Sequence, residues 1–599
     1  MTLRVRWLGR VRYRDAHALQ RGLFESSRDD HLLLLEHPHV YTLGRRADTR
    51  HVLADPATVG AELVATDRGG DVTYHGPGQL VGYPILTVPS KGLGAREGGK
   101  ADTVAYVHDV EQLLIDTLAG LGLPADRLAG HPGVWVGADG PAPRKIAAIG
   151  VRLSRNRSMH GFALNVDPDL SMFGHIVPCG IVDKGVTSLV AEGVQASMRD
   201  VVDALVPRAV ERWGGRGWER HDVAWRTSVT DLAPFSRGAG AGETVRVRSR
   251  LADAGVGDGL PVDARKPEFV KARLRITDDY VRLKRTMREL SLVTVCEEAG
   301  CPNIFECWAD GTATFMVNGE RCTRACGFCL VDTSRPQAPD PGEPERVAEA
   351  VERMGLAFAV VTTVARDDLP DGGAGHVAAT IRAIRARTPG VGVEVLISDC
   401  KGDPDALEVI FGERPDVLAH NLETVARLQR AVRPSASYAR SLAVLARARA
   451  AGLTTKSSLM VGLGEQEHEV VAALGDLAAV GTGIVTIGQY LRPTTHHLPV
   501  ARWWTPGELE SLAVAGEAMG IAHVEASPLT RSSYHARRAA SAAGAGLGAP
   551  AGVTPSGGSS GGSAGGPSGG PSGGSSGGPA PSAGESAGTA VRAPARTRF

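Results

Sequence analysis

Six cysteines fall within residues 296–329 and divide by spacing into two sets of three: Cys296, Cys301 and Cys307 (C-x4-C-x5-C), then Cys322, Cys326 and Cys329 (C-x3-C-x2-C). Thiolates spaced in this way hold iron–sulfur clusters, and four of them close a 4Fe-4S cubane. Three leave one iron in need of a further ligand, and that open iron is a place for chemistry. Zinc is the competing reading, because close pairs such as Cys326 and Cys329 also occur in tetrahedral zinc sites. Zinc prefers a closed set of four, however, and six cysteines make one and a half such sets. Disulfides fit less well: the start, Met1-Thr-Leu-Arg-Val-Arg-Trp7, has no apolar signal-peptide core, which points to a cytoplasmic protein whose thiols stay reduced.

In Cys322-Thr-Arg-Ala-Cys326-Gly-Phe-Cys329 an aromatic residue, Phe328, precedes the last cysteine. The run resembles the radical S-adenosylmethionine (SAM) superfamily. That resemblance implies that the amino and carboxylate groups of SAM chelate the open iron. It also implies that an electron from the cluster cleaves SAM to a 5′-deoxyadenosyl radical, which takes hydrogen from unactivated C–H bonds beyond the reach of any side chain.

The first set reads Cys296-Glu-Glu-Ala-Gly-Cys301-Pro-Asn-Ile-Phe-Glu-Cys307-Trp308, followed by Gly311-Thr-Ala-Thr-Phe-Met316, and Arg531-Ser-Ser-Tyr534 stands near the C-terminus. Together these resemble the lipoyl synthases. The resemblance implies an auxiliary 4Fe-4S cluster on Cys296, Cys301 and Cys307, with a fourth ligand from Ser533 or, less fittingly, its neighbour Ser532. It further implies that this cluster donates sulfur, with SAM consumed, to carbons 6 and 8 of a protein-bound octanoyl chain. A hydroxyl is a poorer iron ligand than a thiolate, so a serine-held iron would leave more readily and open the cluster. Read alone, Arg531–Tyr534 could equally be a helix N-cap.

Further blocks carry the same resemblance across residues 266–536: Lys266–Phe269, Arg366–Gly373, His420–Val425, Val432–Pro434, Lys456–Gly464 and Gln489–Pro493. Thr363, Ala365, Ser398 and Cys400-Lys401 depart from the family pattern. None of these is an expected ligand. Cys400 is read as a small apolar filler.

The N-terminal third carries one cysteine, Cys179, in Val177-Pro-Cys-Gly-Ile181. A lone cysteine is usually inert, but its flanking proline and glycine suit a tight turn that could expose a thiol. With Arg68-Gly-Gly-Asp-Val-Thr-Tyr-His75-Gly-Pro-Gly-Gln79, Lys145–Gly150, His160–Asn165 and Gly185–Leu189, residues 1–232 resemble the lipoyl(octanoyl) transferases. The resemblance implies that Cys179 attacks the thioester of octanoyl-acyl carrier protein and that Lys145 lowers the thiol pKa and shuttles the proton. A thiolate is the reactive form and a nearby cation favours it, while a lysine that also acts as base needs a partly desolvated site. The Arg68–Gly78 stretch is expected to be a substrate-facing loop rather than a plain surface turn. Its residues Arg68, Gly69, Gly70, Asp71, Val72, Thr73, Tyr74 and His75 would serve it, with backbone N–H groups available to an oxyanion and His75 bonding locally beside Gln79. Ala148, Ile149 and Gly150, and Gly161, Phe162 and Ala163, match acyl-pocket segments, although many relatives have serine at position 148. A lipoate ligase is the alternative for this part. It would need ATP and no nucleophilic cysteine.

Certain elements must position these groups. Leu32–Leu35 reads as a strand, and Val104, Val107, Val110, Leu114 and Leu118 form a helical apolar stripe. The related fold for residues 1–232 is the α/β fold of biotin and lipoate ligases. Farther on, Phe358–Val364, Val393–Ile397, Asp416–His420 and Ile484–Tyr490 read as strands, with a helix at Val377–Arg387. Strand–helix repetition predicts parallel pairing, and the resemblance implies a partial (β/α) barrel whose strand-end polar groups, such as Asn421 and Glu423, face the site.

The chain is therefore read as 1–232 octanoyltransferase domain, 233–265 Gly/Ala-rich linker, 266–538 lipoyl synthase radical SAM domain and 539–599 disordered Gly/Ser/Pro-rich tail, which has too few large apolar side chains to bury a core. Lys+Arg 66 balance Asp+Glu 66, which argues against nucleic acid or an anionic membrane as partner. No apolar run is long enough to span a bilayer. The resemblances imply two 4Fe-4S clusters and SAM as cofactors. They imply octanoyl-acyl carrier protein, lipoyl carrier domains (2-oxoacid dehydrogenase E2 subunits and the glycine cleavage H protein) and an electron donor as partners. The linker would raise the effective concentration of one activity near the other. The alternatives are a ligase-like domain fused to a radical SAM sulfurtransferase of other substrate, such as a methylthiotransferase, and a binding protein with structural metals.

Overall fold

The computed structural model describes residues 1–89, 101–178, 184–225, 251–257, 259–261, 264–271, 278–290, 292–294, 303–309 and 311–544. Cys179, Cys296 and Cys301, most of the expected linker and nearly all of the expected tail lie outside them.

The N-terminal part is built on a nine-stranded mixed sheet. Its order is Trp218–Arg220, Leu3–Arg10, Asp30–Glu36, Gln79–Ile85, Arg157–Asn165, Arg144–Ser154, His131–Val136 and Asp126–Leu128, with Gly185–Val186 pairing to Arg144–Ser154. The leucine run at 32–35 is fully buried in the strand Asp30–Glu36, as its composition predicts. A small three-stranded sheet, Glu62–Ala65, Val40–Leu43 and Val72–His75, stands beside it. Helices Tyr13–Ser26, Thr103–Gly120 and Met198–Trp213 complete this part. In the apolar stripe of Thr103–Gly120, Val110, Leu114 and Leu118 are buried while Val104 in the first turn is exposed.

The C-terminal part is an eight-stranded sheet in the order Val293–Thr294, Thr312–Val317, Phe358–Thr363, Gly392–Leu396, Val417–Ala419, Thr455–Val461, Ile484–Gln489 and His523–Ser527. Every neighbouring pair is parallel except the first. Helices alternate with strands, and among the described residues the two ends of the sheet do not pair, so the barrel is partial. All parallel strands end on one side, where loops gather.

The two parts pack directly. Helix Tyr13–Ser26 crosses helix Tyr438–Ala450 so closely that a Cβ on Gly22 would lie 2.6 Å from the Cβ of Ala446. One apolar cluster runs from Leu3 and Leu19 through Leu442 and Leu474. A helical turn at 251–253 adds Leu251 and Ala254 to that core, so the expected linker is partly folded where its apolar side chains find cover. The expected ordered end at 538 falls inside a helix, Ala536–Ala542, because Ala536, Ala539 and Ala540 pack against Phe358, Val360 and Ile484. No helix among the described residues is long and apolar enough to cross a membrane.

Candidate functional site

In the N-terminal part, a cavity of ≈ 50 Å³ is lined by Arg68, Gly69, Gly70, Asp71, Thr73 and His75, by Ala148, Ile149 and Gly150, and by Gly161, Phe162 and Ala163. Three separate stretches of sequence thus meet. The strands Arg144–Ser154 and Arg157–Asn165 bring two of them together through the pairs Ala163↔Ala148, Phe162↔Ile149 and Gly161↔Gly150. Val72 and Tyr74 are absent from the lining. Residues 72–75 are a strand rather than a loop, so alternate side chains face opposite ways. Val72 and Tyr74 join Tyr41, Met172 and Phe173 in a separate apolar cluster, while Thr73 and His75 face the cavity. The expected row of free N–H groups is also reduced. Gly69 N–H donates to the Val151 carbonyl at 3.0 Å, Val72 N–H to Asp71 at 2.7 Å and Gly78 N–H to Glu36 at 2.7 Å.

Polar groups around the cavity are fixed from behind. Arg68 donates to the Thr42 carbonyl at 2.6 Å and to its hydroxyl at 2.9 Å. Asp71 meets His51 at 2.5 Å. His75 Nδ1 lies 2.7 Å from Gln79 Oε1, whose amide nitrogen donates to Asn165 Oδ1 at 2.9 Å. Gln79 therefore accepts from His75, which leaves that ring a lone pair on Nε2. Burial, then the neighbouring His37, holds His75 well below its usual pKa, so the ring is neutral at pH 7. A Cβ on Gly82 would lie 2.1 Å from the Phe162 ring, so this glycine is what seats the aromatic wall.

Lys145 is buried three residues before Ala148 on the same strand. Its ammonium lies 4.7 Å from the centre of the Trp135 ring. Cys179 is outside the described residues, but the chain on both sides of it is anchored. Val177 N–H donates to the His51 carbonyl at 2.8 Å, and Val186 pairs with Lys145. Tyr13, Tyr83 and His160 also line the cavity. His160 heads a block that was legible in sequence. Tyr13 and Tyr83 carry no local signal.

In the C-terminal part, Cys322, Cys326 and Cys329 sit in the loop after strand Thr312–Val317. The segment after strand Phe358–Thr363 and the short helix Gln429–Val432 hold that loop. Thr323 donates through N–H and Oγ1 to the Ala365 carbonyl at 2.9 Å, Arg324 forks onto Asp367 at 2.7 Å, and Gly327 N–H donates to the Val432 carbonyl at 2.9 Å. His497 meets the Cys329 carbonyl at 2.9 Å. Burial pushes the Cys326 thiol up to about 11 and the Cys329 thiol up to about 12, and Cys329 feels the charge of both other thiols. Three converging, desolvated thiols ionise only where a metal takes up their charge, which fits an iron–sulfur cluster. The backbone N–H groups of Arg324 and Ala365 already point at Cys322 Sγ, each at 3.4 Å. Glu423, bonded to Asn421 at 3.0 Å, adds a smaller upward push on Cys326 and Cys329 after that of burial. Cys400 is buried in an apolar cluster.

Cys307 lies on the short helix Ile304–Ala309. More than two hundred residues away in sequence, Arg531–Tyr534 folds against that helix. Tyr534 OH donates to Glu306 at 3.1 Å, His535 meets Glu306 at 3.2 Å, and Asn303 donates to the Leu529 carbonyl at 2.7 Å. Burial raises the Tyr534 pKa most, followed by Glu306, then Glu525 and last Cys307. Ser532 and Ser533 immediately precede Tyr534 in this segment.

Three family matches coincide with this geometry. Residues 12–209 match the lipoyl protein ligase A/B catalytic domain, 259–301 the N-terminal domain of lipoyl synthase, and 316–477 the radical SAM superfamily. Over 274 residues the chain is 55% identical to the lipoyl synthase of Mycobacterium bovis (strain BCG / Pasteur 1173P2), which is 46% of this chain and 88% of that relative. It is 57% identical to the lipoyl synthase of Rubrobacter xylanophilus over 273 residues, 45% of this chain and 85% of that one. A bi-partite lipoate protein ligase from Thermoplasma acidophilum aligns at 16% identity over 37% of this chain and 88% of its own, with a TM-score of 0.29.

Proposed function

The chain belongs to the lipoyl synthase family through its C-terminal part, with 4Fe-4S clusters and SAM as cofactors and a lipoyl ligase A/B catalytic domain ahead of it, and on that premise we propose that it builds protein-bound lipoyl groups in two steps. In the first, Cys179 attacks the thioester of octanoyl-acyl carrier protein and the carrier thiol leaves. The amine of a lysine on a lipoyl carrier domain then attacks the acyl-enzyme, the Cys179 thiolate leaves, and the proton passes by way of Lys145. A cation beside the thiol favours the thiolate, and Lys145 would supply it. Neutral His75 offers a lone pair inside the cavity, where it can accept a hydrogen bond from an incoming amine. At ≈ 50 Å³ the cavity must widen to admit an eight-carbon chain.

In the second step, when bound, the clusters and SAM supply a radical that abstracts hydrogen and the sulfur that replaces it at carbons 6 and 8. Cys322, Cys326 and Cys329 would hold the SAM cluster. Cys296, Cys301, Cys307 and Ser533 would hold the auxiliary one. Asp367 keeps Arg324, and with it the backbone between Cys322 and Cys326, in place.

The observation that most supports this reading is the folding of Arg531–Tyr534 onto the helix of Cys307, which a structural zinc site would not call for. Incubating the anaerobically reconstituted chain with octanoyl-acyl carrier protein, an unmodified carrier domain, SAM and a reductant tests it. Intact mass of the carrier should gain an octanoyl group without SAM and a lipoyl group with it. Transfer only from free acid and ATP would make the N-terminal part a ligase. No sulfur insertion with both clusters present would overturn the second step.

A further inference from the structure

Arg324, between the first two cysteines of the Cys322–Cys329 run, reaches past Asp367 to Asp399 at 2.6 Å. Asp399 lies 3.5 Å from Arg440, Arg440 Nε donates to Asp15 at 3.0 Å, and Arg447 meets the other Asp15 oxygen at 3.3 Å. Asp15 belongs to helix Tyr13–Ser26 of the N-terminal part and is only 1% exposed. Asp367, Arg324, Asp399, Arg440, Asp15 and Arg447 thus alternate in sign from the cysteine loop into the other half of the chain. The packing follows the same line. Cys400 and Lys401 turn with φ of 43° and 56°, Arg12 donates to the Lys401 carbonyl at 2.8 Å, and a Cβ on Gly402 would lie 2.7 Å from Asp15 Oδ1. The start of the N-terminal helix therefore presses on the loop that carries Asp399.

We propose that Asp15 is a positioning residue for the radical SAM half: it fixes Arg440 and the Asp399–Gly402 loop, and through Asp399 it sets Arg324 and the backbone of residues 322–329. Two neighbouring arginines, 440 and 447, share this one carboxylate. Without it Arg447 keeps only the carbonyls of Arg14 and Gly402, and Arg440 keeps only the longer contact to Asp399. The nearest anion for Arg440 is then Asp399, whose Oδ2 has no hydrogen-bond partner. Arg440 would close on that oxygen, draw the Asp399 loop toward itself and loosen the hold on Arg324. The inference rests on residues 322–329 being the SAM-cluster site, but its first test does not.

Hydrogen exchange on the full chain, without cluster or SAM, reads the backbone directly. Asp15→Asn should speed exchange of the amides at 322–329 by about tenfold, which local opening free energies make measurable. Arg440→Gln, cutting the next rung, should do the same. Asp476→Asn breaks a different ion pair in the same interface and should leave 322–329 unchanged. Unchanged exchange in both Asp15→Asn and Arg440→Gln would overturn the proposal, and so would equal loosening in Asp476→Asn, which would mean general undocking. In reconstituted protein, Asp15→Asn should shift the electron paramagnetic resonance signal of the reduced cluster with SAM, and Asp15→Glu should restore it. A signal that ignored Asp15 would overturn the proposal. Failure of the unaltered chain to take up a cluster at 322–329 would instead sink the site assignment.

Discussion

Arg6 and Asp476 stand 470 positions apart and form a two-pronged ion pair sealed between the halves, with Nη2 to Oδ1 at 2.9 Å and Nε to Oδ2 at 3.0 Å. Tyr438 OH donates to the same carboxylate at 2.9 Å. Both charges are buried, so removing one strands the other, which costs roughly 3–5 kcal/mol. Arg6 keeps Glu219 at 2.5 Å, which places the expected loss for Asp476→Ala near the lower end. Urea denaturation measures it. A loss below about 1 kcal/mol would mean that water reaches the pair.

That contact, like the whole interface, was illegible in the sequence. Asp15, Arg440 and Asp476 each look like ordinary helical charges, and only tertiary packing gives them one another. Local chemistry was far more legible. The β-branched run at 358–363 and the leucine run at 32–35 became buried strands where their composition placed them. The stretches at 68–71, 148–150 and 161–163 meet in one cavity. Val72 and Tyr74 lie off that cavity, because their glycine-rich flanks hid a strand whose alternation sends these two side chains away. The helix past 538 was hidden because alanine packs without a strong apolar pattern.

Lys456 and Glu394 form an ion pair that is 1% exposed on each side, with both contacts at 3.0 Å, on strands either side of Val417–Ala419 in the C-terminal sheet. Glu394→Gln should destabilise by about 3–5 kcal/mol, since Lys456 loses its counter-charge in a dry environment. The double substitution Glu394→Leu with Lys456→Met should recover most of that loss, because two apolar groups of similar volume need no pairing. A double variant no better than the single would show that the pair is needed for packing rather than for charge balance.

Among the histidines held neutral by burial, His17, His37 and His420 have pKa lowered to about 4 and His31 to about 3. Their unfolded value is about 6.5. Between these values the unfolded chain binds more protons, so stability is full above pH 6.5 and falls as pH drops toward 4. For a ring such as His420 the full shift corresponds to roughly 3 kcal/mol. Asp399 and Asp476, whose pKa values are depressed, add their losses only below about pH 4. The urea midpoint should therefore decline already between pH 6.5 and 4.5. A flat midpoint over that window would mean that these rings accept protons in the folded state.

Gly82 faces the Phe162 ring, and a methyl group there would lie 2.1 Å from it. Gly82→Ala should push the ring into the cavity and, on the proposed function, lower octanoyl transfer by at least about tenfold, the equivalent of about 1.4 kcal/mol in barrier. SAM cleavage should be unaffected. Equal loss of both activities would show that the substitution disturbs the whole fold.

The two cysteine sets should be separable by iron content. Each 4Fe-4S cluster brings four irons, so Cys326→Ala and Cys307→Ala should each leave about four irons per chain instead of about eight. Their chemistry should differ. Cys326→Ala should lose SAM cleavage. Cys307→Ala should keep it and lose sulfur insertion, because the helix of Cys307 belongs with Arg531–Tyr534 and not with the loop that Arg324 anchors. Ser533→Cys provides the sharper probe of that first set. A thiolate holds iron more firmly than a hydroxyl, so the cluster should be retained while sulfur insertion slows. If Ser533→Cys transferred sulfur as fast as the unaltered chain, Ser533 would not be the ligand that releases iron.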